Sequence, residues 1–232
     1  MNHLSSGLRS NLLERGASLV GFADLKDFPA KDRMDFAYGV SIAVAIRPDI
    51  IRGIENGPTL AYYEEYVRLN EQLNSLAEYT ADYLKGHGFE AIPQTTTRVV
   101  QDRNALRTPL PHKTVATRAG LGWIGKCALL VTKSFGSALR FTSVLTNAPL
   151  PAGIPVNASS CGTCTRCREA CPGKAVKGIN WSPELEREEY YDAHSCEKAA
   201  RELMLRLGID YTICGKCIYV CPWTQRYLDA HR

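Results

Sequence analysis

Four closely spaced cysteines constrain this chain more than any other feature of its sequence. Cys161, Cys164, Cys167 and Cys171 form the run C-x2-C-x2-C-x3-C, and Pro172 follows directly. This spacing ligates [4Fe–4S] clusters in bacterial two-cluster proteins, where the first three thiolates bind one cluster and the fourth binds the other. The sequence therefore predicts one cluster in this loop and a second cluster close to it.

A second, shorter cysteine run lies near the end of the chain. Cys214, Cys217 and Cys221, followed by Pro222, repeat the pattern with one cysteine missing. Cys196 is the remaining cysteine in this part of the chain, and we expect it to supply the missing donor. Two crossed ligand sets follow. The first is Cys161, Cys164, Cys167 and Cys221, and the second is Cys171, Cys196, Cys214 and Cys217.

Two other interpretations of the cysteines remain open. Cysteine pairs separated by two residues also bind structural zinc, although zinc sites have no need for this longer spacing twice with a proline after each last cysteine. Clusters can also serve structure alone. Electron transfer is the expected role, because the low potentials that such clusters reach suit them to moving electrons.

Composition places the chain among folded globular proteins. Hydrophobic residues make up 45% and charged residues 22% of the sequence, which excludes a disordered or fibrous chain. Apolar runs such as Val40–Ile46 are too short to span a membrane, and residues 1–9 lack the features of a secretory signal. We expect a cytoplasmic protein with no membrane partner. The net charge of +4 is mild and does not by itself point to a nucleic-acid partner.

The residues before the first cysteine run are numerous enough for a core of their own, and their pattern is that of an α/β (α+β) protein. We predict a cofactor-binding domain over residues 1–155 and a double-cluster, ferredoxin-like domain over 156–232, joined by the Pro- and Gly-rich segment 149–157. The predicted elements are helices over 4–14, 59–88 and 112–119 and strands over 18–23, 39–46, 89–92, 128–131 and 140–146, the last two paired with each other.

A glycine-rich block over residues 118–126 is the second strong signal. Three glycines within six residues permit a backbone that a ligand can approach closely. A Rossmann dinucleotide site is disfavoured, because the block lacks a preceding strand and a suitably placed acidic residue. We predict that the block helps to bind a cofactor through Gly120, Leu121, Gly122, Trp123, Gly125 and Lys126.

These features together resemble the epoxyqueuosine reductases and their relatives. The resemblance is carried by the glycine block from His112 to Lys126, the segment 144–150, both cysteine runs and Asp192-Ala193 before Cys196. It implies a nitroreductase-like domain that holds cobalamin against a two-cluster module, as in the similar reductive dehalogenase core. It also implies that electrons from an external donor such as ferredoxin or flavodoxin pass through the clusters to the cobalt.

Three departures from this family affect the predicted substrate. The family has an acidic residue shortly before the glycine block, whereas residues 106–109 contain none. The chain ends at Arg232, without the helical-repeat domain that helps the family to grip tRNA, so we expect that tRNA is a doubtful substrate. Cys127 stands where the family usually has Asn. It is either a reactive thiol near the cofactor or, more commonly for such a residue, a small buried hydrophobe.

His112 and Lys113 directly precede the glycine block and are also predicted to contact the cofactor. His112 is our candidate catalytic residue, as a proton donor or as a hydrogen-bond partner of a corrinoid side chain, because imidazole titrates near neutral pH. A structural role as a helix-capping or surface pair is the alternative. Arg98 and Arg103 would meet a corrinoid tail or form ordinary surface ion pairs.

The leading functional hypothesis is an iron–sulfur reductase with two [4Fe–4S] clusters and cobalamin, acting on an unknown small molecule or on a corrinoid protein. One alternative is an electron carrier or reductive activator that docks on a separate corrinoid protein. Another replaces cobalamin with FMN, which nitroreductase-like domains also hold. The cofactor that binds would distinguish the three.

Overall fold

The computed structural model describes residues 2–96, 102 and 104–232, so Arg98 and Arg103 lie outside the described residues. Helices and strands are mixed up to residue 146, and the described elements after it are helices. In chain order they are α1 (Asn2–Glu14), β1 (Leu19–Asp24), β2 (Tyr38–Ala45), α2 (Pro48–Arg52), α3 (Leu60–Gly86), β3 (Ala91–Gln94), α4 (His112–Arg118), β4 (Trp123–Ile124), β5 (Leu130–Val131), β6 (Leu139–Thr146), α5 (Arg166–Glu169), α6 (Arg187–Tyr190), α7 (Ala193–Leu205), α8 (Lys216–Tyr219) and α9 (Pro222–Asp229).

The larger sheet has four strands in the order β1-β2-β6-β3. β1 and β2 pair antiparallel, with Leu19 opposite Ala43, and β3 and β6 pair antiparallel, with Ala91 opposite Thr146. β2 lies inside the sheet and is buried along all but its two end residues, as its continuous apolar sequence predicted. The mixed α/β class is thus confirmed.

The two long predicted helices are present. α1 and α3 match the predicted spans closely. Leu69, Leu73 and Leu76 recur at intervals of four and three residues on α3, and all three are buried, as the apolar periodicity required. Periodicity locates such helices well because every turn of the helix repeats the same signal.

The predicted pairing of residues 128–131 with 140–146 is wrong. β5 instead pairs antiparallel with β4, with Trp123 opposite Val131, while β6 joins the four-stranded sheet. Ala128 has a left-handed backbone (φ 60°) and turns the chain into the β4–β5 hairpin, so it is not part of a strand. The sequence analysis missed β4 because its two residues lie within the glycine block.

The chain divides into two compact units, each built from separate segments. The first unit contains residues 1–45, 69–121 and 140–156. In its core, Val115 of α4 packs in one cluster with Leu25, Phe36 and Leu145. Burial of these side chains fixes α4, and therefore His112 at its first turn, relative to the sheet.

The second unit contains residues 46–68, 122–139 and 157–232. Its core includes Ile124 of β4, which packs in one cluster with Trp181 and Tyr190. The Tyr227 hydroxyl donates a hydrogen bond of 3.0 Å to the carbonyl of Ile46 and ties α9 to the segment before α2. All the cysteines of the chain belong to this unit.

The segment predicted to join the two domains is held by hydrogen bonds within the first unit. The Gly153 amide donates to Phe22 (2.8 Å), and the Val156 amide donates to Thr117 (2.9 Å). One boundary between the compact units falls after Val156, next to the predicted domain boundary, but two earlier segments also belong to the second unit. The linear division into 1–155 and 156–232 stays a prediction. Among the described helices, none has the length and hydropathy needed to cross a membrane.

Candidate iron–sulfur site

The first cysteine run forms a loop that leads into a short helix. The Cys164 amide donates to the carbonyl of Cys161 (3.1 Å), and α5 then carries Cys167. Cys171 follows the end of this helix, and its sulfur accepts a hydrogen bond of 3.3 Å from the Ala175 amide. Backbone N–H donors of this kind stabilise the thiolate form, which is the form that binds iron.

The cysteines of the second run lie near the starts of two helices, α8 and α9. Gly215, between Cys214 and Cys217, caps α8 with a left-handed backbone (φ 81°). Cys221 caps α9, and Pro222 takes the first helical position, where the missing N–H of proline costs nothing. Pro222 therefore begins a helix.

Cys196 lies in the first turn of α7, which Asp192 caps by accepting a hydrogen bond of 3.0 Å from the Ser195 amide. Burial raises the pKa of the Cys196 thiol, while a hydrogen bond with Tyr191 opposes the rise. Burial also raises the pKa of Tyr191, with a further contribution from Cys196. Tyr191 was not predicted as a site residue, although its position directly before Asp192, the cap of α7, indicated that it lies near Cys196.

Six of the sulfur atoms fall into two neighbourhoods, around Cys196 and around Cys221. Charge on Cys171 and Cys214 acts on Cys196 and raises its pKa further. Charge on Cys161 and Cys167 does the same to Cys221, whose pKa burial also raises. Each of the two donors expected to complete a cluster is therefore close to members of its own set.

Five of these cysteines line one cavity in the second unit, so the two predicted sets meet there. Four belong to the first set and Cys217 belongs to the second. Within the described ranges, no group of three or more His, Cys, Asp or Glu side chains is arranged around a position for a single metal ion. The full lining is Lys126, Cys127, Val131, Cys161, Cys164, Cys167, Cys217, Cys221, Pro222 and Trp223.

The glycine block ends in the β4–β5 hairpin, whose three-residue loop is Lys126-Cys127-Ala128. The Ala128 amide donates to the Gly125 carbonyl and the Gly125 amide donates to the Leu129 carbonyl, both at 2.8 Å. These bonds and the left-handed Ala128 are the features of a type I turn followed by a G1-type bulge. We call the two residues Lys126 and Cys127 the hairpin tip.

Both side chains of the hairpin tip point among the cysteines. Lys126 is only 4% exposed, and its ammonium donates a hydrogen bond of 3.0 Å to the carbonyl of Cys164. Cys127 is 5% exposed, and it lines the cavity beside Cys167 and Cys217. The pKa of Cys127 is raised well above its usual value: Cys167 acts to lower it, but Cys217 and burial raise it. Cys127 is thus buried, as expected for a small buried hydrophobe, but its neighbours in the cavity are other cysteines.

The glycines of the block serve close packing within the protein. A Cβ atom on Gly122 would lie 2.1 Å from the Val131 carbonyl oxygen, and one on Gly120 would lie 2.8 Å from the Ile154 carbonyl oxygen. A Cβ on Gly125 would lie 2.8 Å from the Val131 side chain. The space we had assigned to a ligand at these α-carbons is therefore taken by the chain itself. Contact between a cofactor and the block stays a prediction.

Two further residues predicted to contact the cofactor, Trp123 and Leu121, have different surroundings. Trp123 packs edge to face on Trp223, with ring centroids 5.1 Å apart. Its indole nitrogen is buried and has no hydrogen-bond acceptor in the part of the chain that the structure describes. Leu121 packs against the apolar cluster of the first unit, which is a structural role.

His112 is held in a neutral state. Its Nδ1 lies 2.8 Å from the Ser143 hydroxyl. Burial, helped by the positive charge of Arg140, lowers the pKa of His112 to about 4. At neutral pH the imidazole is therefore uncharged, and its role as a proton donor stays a prediction. A hydrogen-bonding role for His112, with Lys113 beside it in α4, stays a prediction.

The comparisons with known proteins agree with the cysteine pattern. Residues 160–224 match the model of the 4Fe–4S double cluster binding domain. That match defines the class of the cysteine-bearing segment as iron–sulfur protein. The predicted resemblance to the epoxyqueuosine reductases is also confirmed, since curated relatives bear that name. One of them, from Synechocystis sp. (strain ATCC 27184 / PCC 6803 / Kazusa), is 36% identical over 124 residues, which are 51% of this chain and 41% of the relative.

Solved structures share the fold over nearly the whole chain. An epoxyqueuosine reductase with an epoxyqueuosine-modified tRNA stem loop has a TM-score of 0.61 at 21% identity, covering 97% of this chain and 66% of that one. A reductive dehalogenase described as suggesting a mechanism for B12-dependent dehalogenation has a TM-score of 0.70 at 17% identity, covering 94% and 31%. Among the curated relatives, the one from Synechocystis is matched over 41% of its length, so this chain spans less than half of that protein.

Proposed function

We propose that this protein is an iron–sulfur reductase that carries two [4Fe–4S] clusters and uses them to deliver single electrons to a cobalamin. The observation that carries the proposal is that the eight cysteines other than Cys127 are gathered in one unit. Within it, Cys171 and Cys214 lie near Cys196, and Cys161 and Cys167 lie near Cys221. Cysteine thiolate is the ligand that [4Fe–4S] clusters require, so the donor set fits the group. The first crossed set would hold one cluster and the second set the other.

The chain contributes binding, shielding and charge to these clusters. Its eight thiols would bind the iron, and the half-buried position of each of them limits access of water. The Lys126 ammonium, buried beside the Cys164 carbonyl, places a positive charge next to a site that becomes negative when thiolates and sulfide assemble. Bound clusters supply one-electron transfer at low potential. Reduction would need an external donor such as ferredoxin or flavodoxin.

Cobalamin is supported by the resemblance and by the structural neighbour whose description names B12-dependent dehalogenation. The residues predicted to contact cobalamin differ in whether they are available to bind it. The unpartnered indole nitrogen of Trp123 is a donor free for an absent group, whereas Gly120, Gly122 and Lys126 already have contacts within the protein. We propose that the four-stranded sheet and α4 belong to the nitroreductase-like domain that the resemblance implies, with His112 and Lys113 as its residues that would contact the corrinoid.

The substrate is proposed by class only. A small electrophile that accepts electrons from a reduced corrinoid, or a corrinoid bound to another protein, fits the chemistry best. An epoxyqueuosine-modified tRNA stem loop is bound in one neighbour. We retain tRNA as the less favoured substrate, because residues 106–109 offer no acid to protonate an epoxide.

Anaerobic reconstitution tests the proposal. The protein is loaded with iron and sulfide, analysed for about eight irons per chain, and titrated with cobalamin by absorbance and EPR before and after reduction. Full iron and a corrinoid signal that changes on cluster reduction would support the reductase. Full iron with no corrinoid response would favour the electron carrier, and a flavin spectrum would favour FMN, which the comparisons do not support. Turnover would then be measured with an organohalide and with an epoxyqueuosine-modified stem loop.

A further inference from the structure

The hairpin tip has a position that the sequence motif did not predict. It reaches the cysteine cavity with two different groups, a buried ammonium and a buried thiol. A Cβ atom on Gly125, at the base of this loop, would lie 3.6 Å from the sulfur of Cys127 and 3.6 Å from that of Cys161. Both distances are ordinary van der Waals contacts, so the base of the loop lies directly beside a predicted cluster ligand.

Cys127 lies beside one predicted ligand from each set. It lines the cavity beside Cys167, assigned to the first set, and Cys217, assigned to the second. A thiol carries one proton and has lone pairs to accept with, so it is able to donate to one thiolate sulfur at a time. Eight other cysteines complete the two sets, which leaves Cys127 as a ninth thiol beside the ligands.

Hydrogen bonds to cluster sulfurs and local charge are two of the means by which a protein sets cluster potentials. Reduction adds one negative charge to a cluster. A donor or a cation beside the sulfurs stabilises that charge and raises the reduction potential. Both groups of the hairpin tip act in this direction, and burial strengthens both effects because water screens them little.

We propose that the hairpin tip sets the reduction potentials of the cluster pair. Cys127 donates its S–H proton to the sulfur of Cys167 or Cys217, and Lys126 supplies a fixed positive charge at the Cys164 end of the site. Neither residue binds iron. The inference rests on the proposed function only in requiring that both clusters are present, and it requires neither cobalamin nor a substrate.

Redox titration monitored by EPR tests this assignment on the reconstituted full-length chain. Three variants are compared with the unchanged protein: Cys127→Ala, which removes the donor; Cys127→Ser, which keeps an O–H donor; and Lys126→Met, which keeps length but removes the charge. Iron and sulfide contents are measured on every sample. A hydrogen bond to a charged group justifies an expected change of about tenfold in the equilibrium constant for reduction, which is about 59 mV for a one-electron couple.

We expect Cys127→Ala to lower at least one of the two potentials, Cys127→Ser to restore most of it, and Lys126→Met to lower a potential as well, all with unchanged iron content. Unchanged potentials in Cys127→Ala and Lys126→Met at full iron content would overturn the inference. Loss of iron in both Cys127→Ala and Cys127→Ser would overturn it too, since Cys127 would then be a ligand. Absence of clusters from the unchanged protein would instead overturn the proposed function.

Discussion

The α-carbon of Gly122 faces the carbonyl oxygen of Val131 so closely that a Cβ atom at residue 122 would lie 2.1 Å from that oxygen. Trp123, the next residue, pairs with Val131 across the β4–β5 hairpin. The contact is between two segments of backbone, so no side-chain rotation would relieve it. The hairpin register, and with it the position of the hairpin tip, therefore depends on glycine at residue 122.

We expect Gly122→Ala to distort the hairpin and to destabilise the protein by about 3 kcal/mol, the upper part of the usual cost of overpacking. Because the distortion reaches the hairpin tip, reconstituted clusters should also be lost faster to a chelator. Gly86→Ala is the matched control, since nothing lies within 4 Å of a Cβ at that residue. Thermal unfolding and the rate of iron release measure the two effects. Equal behaviour of the two variants would contradict the packing role of Gly122.

Cys196 is predicted to complete the second cluster. Cys196→Ala should lower bound iron from about eight to about four per chain and remove one of two EPR signals, because the remaining three thiols of its set leave one iron without a protein ligand. Cys127→Ser is the control, as a change at a buried cysteine that is not assigned as a ligand. Retention of full iron in Cys196→Ala would show that another residue completes the set.

Glu65 is a buried carboxylate whose ionic partners are both exposed. Arg68 bonds both of its oxygens, at 2.8 and 2.9 Å, and the Glu65 side chain is 3% exposed whereas that of Arg68 is 53% exposed. These bonds hold the pKa of Glu65 below its usual value. Arg68→Met leaves the buried carboxylate without its hydrogen-bonding partner and with Arg47, at 3.6 Å, as its other ionic partner. The variant should lower the free energy of unfolding by about 3 kcal/mol.

Glu65→Gln should cost less, about 1 kcal/mol, because the freed guanidinium remains in contact with water. Denaturant unfolding of the two variants and of the double variant measures both costs and their coupling. If Glu65→Gln proved as damaging as Arg68→Met, the difference in exposure would not be what controls the energy of this pair.

His112 should make stability depend on pH. Its pKa is about 4 in the folded protein and about 6.5 when unfolded. The unfolded chain therefore takes up the proton first, so the stabilisation is complete above pH 6.5 and is lost as the pH falls from 6.5 towards 4. The full difference is about 3 kcal/mol at most.

His112→Asn removes this titration and keeps an amide group near the Ser143 hydroxyl. The pH dependence of the unfolding midpoint between pH 7.5 and 4.5 should be shallower in this variant. His87→Asn, at an exposed position, serves as the comparison. An unchanged slope in His112→Asn would contradict the low pKa.

Features that depend on neighbouring residues could be predicted from the sequence. The cysteine spacings, the prolines after Cys171 and Cys221, and the apolar periodicity of α3 are all local, because one loop or one helix face supplies the whole signal. The interior strand β2 was predictable for the same reason, as its apolar run is continuous. The strand partners of residues 128–131 were not, because pairing depends on turns whose geometry the residue types only partly determine.

The sequence by itself determined that this chain carries two cysteine runs with iron–sulfur spacing, a further cysteine, Cys196, between them, and an α/β segment before them. Only the tertiary structure decided what the glycine block does. The sequence showed that its glycines permit close approach, but the atom that approaches is the Val131 carbonyl, and the groups delivered to the cysteines are those of Lys126 and Cys127. The physical reason is that a missing Cβ provides space without specifying what fills it, and that choice is made by residues far apart in the chain.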